Sequence, residues 1–133
     1  MKKLFFLKSV VVLIITTLLF CLTGAGNENT NQPTLKHIVC LKFKASATTE
    51  DINNIIKAFC ELKNKIPEIK NLEWGMNNSP EKLNKGFTHC FILTFKNEKD
   101  RDSYLVHPDH KEFGKKLGQI LEDVFVVDYT PVK

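Results

Sequence analysis

Between Leu35 and Tyr129 the apolar residues switch repeatedly between a spacing of two and a helical spacing, and the order of the switches leaves few folds open. Leu35 to Lys44 alternates as a strand. His37, Val39, Leu41 and Phe43 fall on one face, and Ile38, Cys40 and Lys42 on the other. Thr48, with Asp51 three residues on, resembles a capping box. The helix it opens carries Ile52, Ile55, Ile56, Phe59, Leu62 and Ile66 as one apolar stripe, and Pro67 ends it. Leu72, Trp74 and Met76 then alternate with Glu73 and Gly75, which predicts a second strand. A polar loop with Asn77, Asn78, Ser79, Pro80 and Gly86 leads to a third strand, Phe87 to Phe95. There His89, Phe91, Leu93 and Phe95 share one face, and Cys90, Ile92 and Thr94 the other. Asn97 to Asp123 reads as mostly helical. Pro108 divides it into a short piece through Tyr104 and a longer one with Phe113, Leu117, Ile120 and Leu121. Val124 to Tyr129, apolar on both faces, is the last strand, and Pro131 closes it.

The order β-α-β-β-α-β is that of a split βαβ, or ferredoxin-like, α+β domain. It predicts a four-stranded antiparallel sheet with two helices on one face. Two helices cover only one side of such a sheet, yet both sides carry apolar residues. Ile38, Cys40, Cys90, Ile92, Val124 and Val126 are expected to point away from the helices. A bare apolar face is a contact surface, and its simplest cover is a second copy related by a two-fold axis. The expected partner is therefore another copy of the chain, packed sheet to sheet.

Ahead of this domain lies a segment of export type. Lys2 and Lys3 give it a positive start, and Val10 to Leu22 is apolar except for Thr16 and Thr17. That run is short for a bilayer span, which needs about 20 apolar residues. Thr23-Gly24-Ala25-Gly26 supplies small residues for cleavage. Residues 1–26 are read as a signal peptide, 27–34 as a polar tether, and 35–130 as the working domain. The product is exported, periplasmic or secreted. Cys21 opens a second reading, a lipoprotein anchored at that residue, although Phe20 departs from the small residue such a cleavage box prefers. The membrane is then met only through the signal or a lipid on Cys21. Loss of Lys2, Lys3 and Lys8 with the signal takes the formal charge from +4 to about +1. With Arg101 as its sole arginine, the domain lacks the basic footprint of a nucleic-acid binder. The remaining Cys40, Cys60 and Cys90 lack metal-type spacing and read as small buried hydrophobes. An exported chain can form disulfides, though three thiols leave one unpaired.

The histidines are the residues most able to carry chemistry. In this topology the first and third strands are antiparallel neighbours, so the start of the first lies beside the end of the third. The second helical segment leaves from the same end. His37, Tyr104, His107 and His110 should therefore converge, while His89 lies at the opposite end, on the helix side. A histidine near its ordinary pKa of about 6.5 can act as general base, and a tyrosine hydroxyl can orient it or stabilise an oxyanion. The alternative is structural: His107 ends one helical piece and Pro108 opens the next. His107 and His110 are three apart, but the proline between them spoils metal-ligand geometry. No metal and no cofactor is expected.

These stretches, taken together, resemble the stress-responsive dimeric α/β-barrel family, often called Dabb. The resemblance rests on Lys36-His37-Ile38-Val39 through Lys42-Phe43-Lys44, Ile66-Pro67-x-Ile69-Lys70, Leu72-Glu73-Trp74-Gly75 and Asn84-Lys85-Gly86-Phe87-Thr88-His89. It continues through Leu93-Thr94-Phe95, Tyr104-Leu105-x-His107-Pro108-x-His110 and Val126-Val127-Asp128-Tyr129. It implies a ferredoxin-like protomer that dimerises into a barrel. A plant member catalyses an intramolecular aldol condensation of a polyketide. By that resemblance its catalytic histidine falls at His110, its supporting tyrosine at Tyr104 and its strand histidine at His37. A second pocket tyrosine falls at Phe59, which cannot donate a hydrogen bond.

The resulting expectation is an exported dimeric barrel domain that binds a small hydrophobic ligand or serves in stress protection. Leu41, Phe59, Phe91, Tyr104 and His89 would line its pocket between helices and sheet, with His37 and His110 at the polar end. The rival is a cofactor-free enzyme, polyketide-cyclase-like or monooxygenase-like, with His110 as general base.

Overall fold

The structure, a computed structural model, describes residues 34–132. The segment read as a signal, Cys21 and the tether as far as Pro33 lie outside the described residues. Seven elements follow: β1 (Leu35–Phe43), α1 (Thr49–Lys65), β2 (Asn71–Met76), β3 (His89–Phe95), α2 (Glu98–Val106), α3 (Pro108–Ile120) and β4 (Leu121–Tyr129). The four strands form one sheet in the order β2-β3-β1-β4, with every neighbouring pair antiparallel. This is the ferredoxin-like arrangement that the period changes imply.

Helix ends follow local chemistry. The Thr48 hydroxyl accepts from the Asp51 amide at 3.1 Å, and the Asp51 carboxylate accepts from the Thr48 amide at 3.1 Å, completing the capping box. Ile66, the residue before Pro67, is extended at φ −116°, because the proline ring excludes helical geometry there. The Asn97 side chain caps α2 by accepting from the Asp100 amide at 2.9 Å. His107 does the same for α3, its Nδ1 accepting from the Asp109 amide at 3.2 Å, with Pro108 in the first turn. The helical region is thus two separate helices, and among the described residues three helices cover the sheet, not the expected two.

Several boundaries differ from expectation. β3 begins at His89 rather than Phe87, α2 runs on to Val106, and β4 begins at Leu121 rather than Val124. Ile120 therefore ends the helix and leads directly into the strand. A bulge accommodates the join: Lys42 opposes Asp123 and Phe43 opposes Leu121, so Glu122 is left over. Lys42 Nζ reaches the Glu122 carboxylate at 2.6 Å.

The core lies between sheet and helices. Leu41, Phe91, Leu93 and Phe95 from the sheet meet Phe59, Leu62 and Ile66 from the α1 segment and Phe113 and Leu117 from α3. Register corrects the expected contact face at one strand. Val124 opposes Leu41 and Val126 opposes Val39. Both therefore point to the helix side, and Phe125 and Val127, opposite Cys40 and Ile38, point to the open side. The reason is that β4 is apolar on both faces and gives its own phase no marker; one residue of slip exchanges the faces. Ile38, Cys40, Cys90 and Ile92 are on the open face as expected. Phe125 is 51% exposed and Val126 47%, so this edge strand is uncovered on both sides.

Candidate functional site

β1 runs between β3 and β4, which places His37 directly opposite Leu93 on one side and Asp128 on the other. Paired residues share a face, so the Asp128 carboxylate lies beside the buried His37 ring. Their contact is 2.5 Å, from His37 Nδ1 to Asp128 Oδ1. An ionised carboxylate only accepts, so Nδ1 carries the hydrogen and Nε2 is the free ring nitrogen. Arg101, from the second turn of α2, donates from Nη1 to the other oxygen of Asp128. It also donates from Nε to Asp102 at 2.7 Å.

Tyr104 follows one turn later on α2 and is 1% exposed. Its ring stands edge-on to His37 at 5.8 Å between centroids and lies 4.2 Å from the His110 ring. Burial pushes the Tyr104 phenol well above its ordinary value, so it remains a hydroxyl. His110, in the first turn of α3, is half-buried. Its Nδ1 lies 3.1 Å from the Leu105 carbonyl. A carbonyl accepts, so the hydrogen sits on Nδ1 and Nε2 keeps its lone pair. Burial, more than anything else, lowers the His110 pKa; the Leu105 carbonyl opposes this, and the nearby His37 and His107 add to it. His110 is accordingly a neutral base at neutral pH.

The expected convergence of His37, Tyr104 and His110 is present. His107 lies near enough to lower the His110 pKa, but its ring caps α3 and sits beside the Asp109 carboxylate. His89 sits apart, opposite Leu41 rather than His37. Four residues along a strand separate the two positions by about 13 Å. His89 lies between the rings of Trp74 (6.1 Å) and Phe43 (5.2 Å), and burial lowers its pKa. Leu41, Phe59 and Phe91 are at most 1% exposed, and Phe59 stacks on Phe91 at 4.2 Å and meets Phe113 at 4.6 Å. These side chains fill the space between α1 and the sheet. A concavity of about 740 Å³ opens on the other side of the sheet, where Cys40, Cys90, Ile92 and Phe125 line it beneath the β2–β3 loop.

Sequence reasoning did not place Asp128 and Arg101 in the cluster. One signal was available for each: Asp128 is the lone acid in the apolar run Val124–Tyr129, and Arg101 is the only arginine. What was missing was the register joining them. Among the described residues, no group of three or more His, Cys, Asp or Glu side chains could hold a metal ion. Among the same residues, no helix is long and apolar enough to cross a membrane.

Known proteins share this framework. Olivetolic acid cyclase of Cannabis sativa is 32% identical over 99 residues, covering 74% of this chain and 98% of the cyclase. The solved hydroxynitrile lyase of Passiflora edulis superposes with a TM-score of 0.72 at 29% identity, covering 77% of this chain and 96% of the lyase. A dimeric ferredoxin-like protein of unknown function from Bacteroides fragilis superposes with a TM-score of 0.60 at 29% identity, covering 74% of this chain and 96% of its own. The model of the stress responsive A/B barrel domain matches residues 35–131, the whole sheet and all three helices, and the chain belongs to that Dabb family.

Proposed function

We propose that this chain is an exported homodimer that binds a small, largely apolar molecule by its polar head at His37, Tyr104 and His110. The observation that carries the reading is the trio itself: a protonated Tyr104 hydroxyl and a neutral His110, their rings 4.2 Å apart, beside His37 at the edge of the apolar layer of Phe59, Phe91 and Phe95. Such a mix of apolar walls and few polar groups suits a small-molecule site. Leu41, Phe59 and Phe91 leave no room between α1 and the sheet, contrary to the pocket expected there, so the ligand would meet the trio at the half-buried His110. Phe59 keeps one wall dry. The uncovered apolar residues of β4 and the open sheet face support the dimer, as does the dimeric state of the Bacteroides protein. Export rests on the basic and apolar character of residues 1–22 and the small residues after them. Calorimetric titration with a panel of small phenols and aromatic ketones tests the binding. Saturable heat with wild type and none with His110→Ala is expected; heat unchanged by His110→Ala removes the reading.

A specific observation favours a second reading, cofactor-free catalysis. The Leu105 carbonyl holds the His110 hydrogen on Nδ1 and leaves Nε2 as a base, with a tyrosine donor beside it. Two relatives, named as a cyclase and a lyase, are enzymes. His110 Nε2 would take a proton from carbon or oxygen, and Tyr104 would donate to the oxygen that gains charge. Equal turnover by wild type and His110→Ala across a panel of polyketide and cyanohydrin substrates would remove catalysis and leave binding.

A further inference from the structure

We propose that Cys40 and Cys90 are a paired dithiol that closes to a cross-strand disulfide within one chain, on the open face of the sheet. The two residues are direct partners in the β1–β3 ladder, one pair in from its Leu41–His89 end. Opposed residues in antiparallel strands have Cα atoms about 4.5 or 5.5 Å apart, depending on the pair type. Both values fall inside the window of about 4.4–6.8 Å that a disulfide spans. Both side chains point the same way from directly opposed positions, and Cys90 is near enough to raise the Cys40 pKa. Both are free thiols and half-buried. Both line the same concavity, so a small oxidant reaches them on a single protomer. Among the described residues, Cys60 has no such partner. It lies on α1, packed against the core, with the sheet between it and the other two.

The reaction needs a disulfide oxidant of the glutathione class. The Cys90 sulfur attacks one sulfur of oxidised glutathione; the S–S bond breaks, and one glutathione thiol leaves. The Cys40 sulfur then attacks the mixed disulfide, forms the Sγ–Sγ bond and releases the second glutathione thiol. Both cysteine protons end on glutathione, which is reduced as the pair is oxidised. Burial, and then Cys90, hold the Cys40 thiol up to about 11, so the closing step quickens as the buffer is made alkaline. The bond encloses all of α1 and β2 in one covalent loop and ties the two central strands together. A second copy packed on this face would seal the pair, so oxidation precedes assembly. None of this depends on the ligand at His110.

The test is a thiol map of the full chain. The protein is equilibrated in buffers of rising oxidised-to-reduced glutathione ratio, quenched in acid, blocked with N-ethylmaleimide and digested without reduction. Mass spectrometry should find a Cys40–Cys90 linked peptide pair, lighter by two hydrogens, while Cys60 carries the blocking group. Cys90→Ser should abolish the link. Phe125→Asp protein, its face left uncovered, is treated in parallel. A link in that variant alone supports the proposal and places oxidation before assembly. Cys40 and Cys90 both blocked in the two proteins at every ratio overturns it, as does a link from either residue to Cys60, Cys21 or another chain.

Discussion

His37 and Asp128 sit opposite each other in neighbouring strands, with Nδ1 and Oδ1 2.5 Å apart and Arg101 on the far carboxylate oxygen. One carboxylate thus orients a histidine and anchors a helix. Asp128→Ala leaves the buried His37 ring and the half-buried Arg101 facing a gap at the edge of the sheet. A hydrogen bond to a charged group is worth about 1.5–3 kcal/mol. Urea unfolding of Asp128→Ala should show a loss of about 2 kcal/mol, and Arg101→Ala a smaller one, since Asp128 keeps His37. An unchanged midpoint for Asp128→Ala would mean the network carries no stability.

The buried histidines set an acid limit. Burial lowers the pKa of His110 and of His89 below the ordinary 6.5. The unfolded chain therefore binds protons that the folded chain refuses. Stability from both is fully present above about pH 6.5 and is lost as pH falls toward the folded-state values. Between those limits unfolding free energy should rise with pH, and His110→Gln should flatten that slope. Proton NMR titration should place both histidines below 6.5. A value above 6.5 for His110 would contradict the charge state assigned to it.

Phe59 is packed between Phe91 and Phe113, at 4.2 and 4.6 Å. Phe59→Ala should cost about 3–5 kcal/mol, the range for an aromatic removed from a core that cannot collapse fully. A loss under about 1 kcal/mol in chemical unfolding would show that the layer between α1 and the sheet is loosely filled after all.

The dimer prediction follows the register rather than the composition. Phe125 and Ile38 project from the open face, so Phe125→Asp and Ile38→Asp should each convert a dimer to a monomer in light scattering. Wild-type protein that remains monomeric at micromolar concentration would end this reading of the face.

Much of this molecule is legible in the one-dimensional pattern. The β1 alternation, the stripe from Ile52 to Ile66, the Thr48 and Asp51 cap and the Pro67 stop are local signals, each set within a few residues. They determined the element order, and with it the sheet order that brings His37 to the α2 end of the sheet. The split at Pro108 was equally readable, because a proline in the first turn and a capping side chain before it define a new helix.

The phase of β4 was decided only in three dimensions. Val124, Phe125, Val126 and Val127 are all apolar, so nothing in the run says which of them faces the helices. Pairing with β1, across the bulge at Glu122, decides it. The same pairing sets Asp128 beneath His37 and turns Phe125 outward. It likewise took the β1–β3 ladder to bring Cys40 and Cys90, fifty positions apart, face to face. By itself the sequence determined which elements form and which end of the sheet holds His37 and His110, with His89 at the other. Tertiary structure decided which side chains share a face, because strand register is a property of the pair and not of either strand.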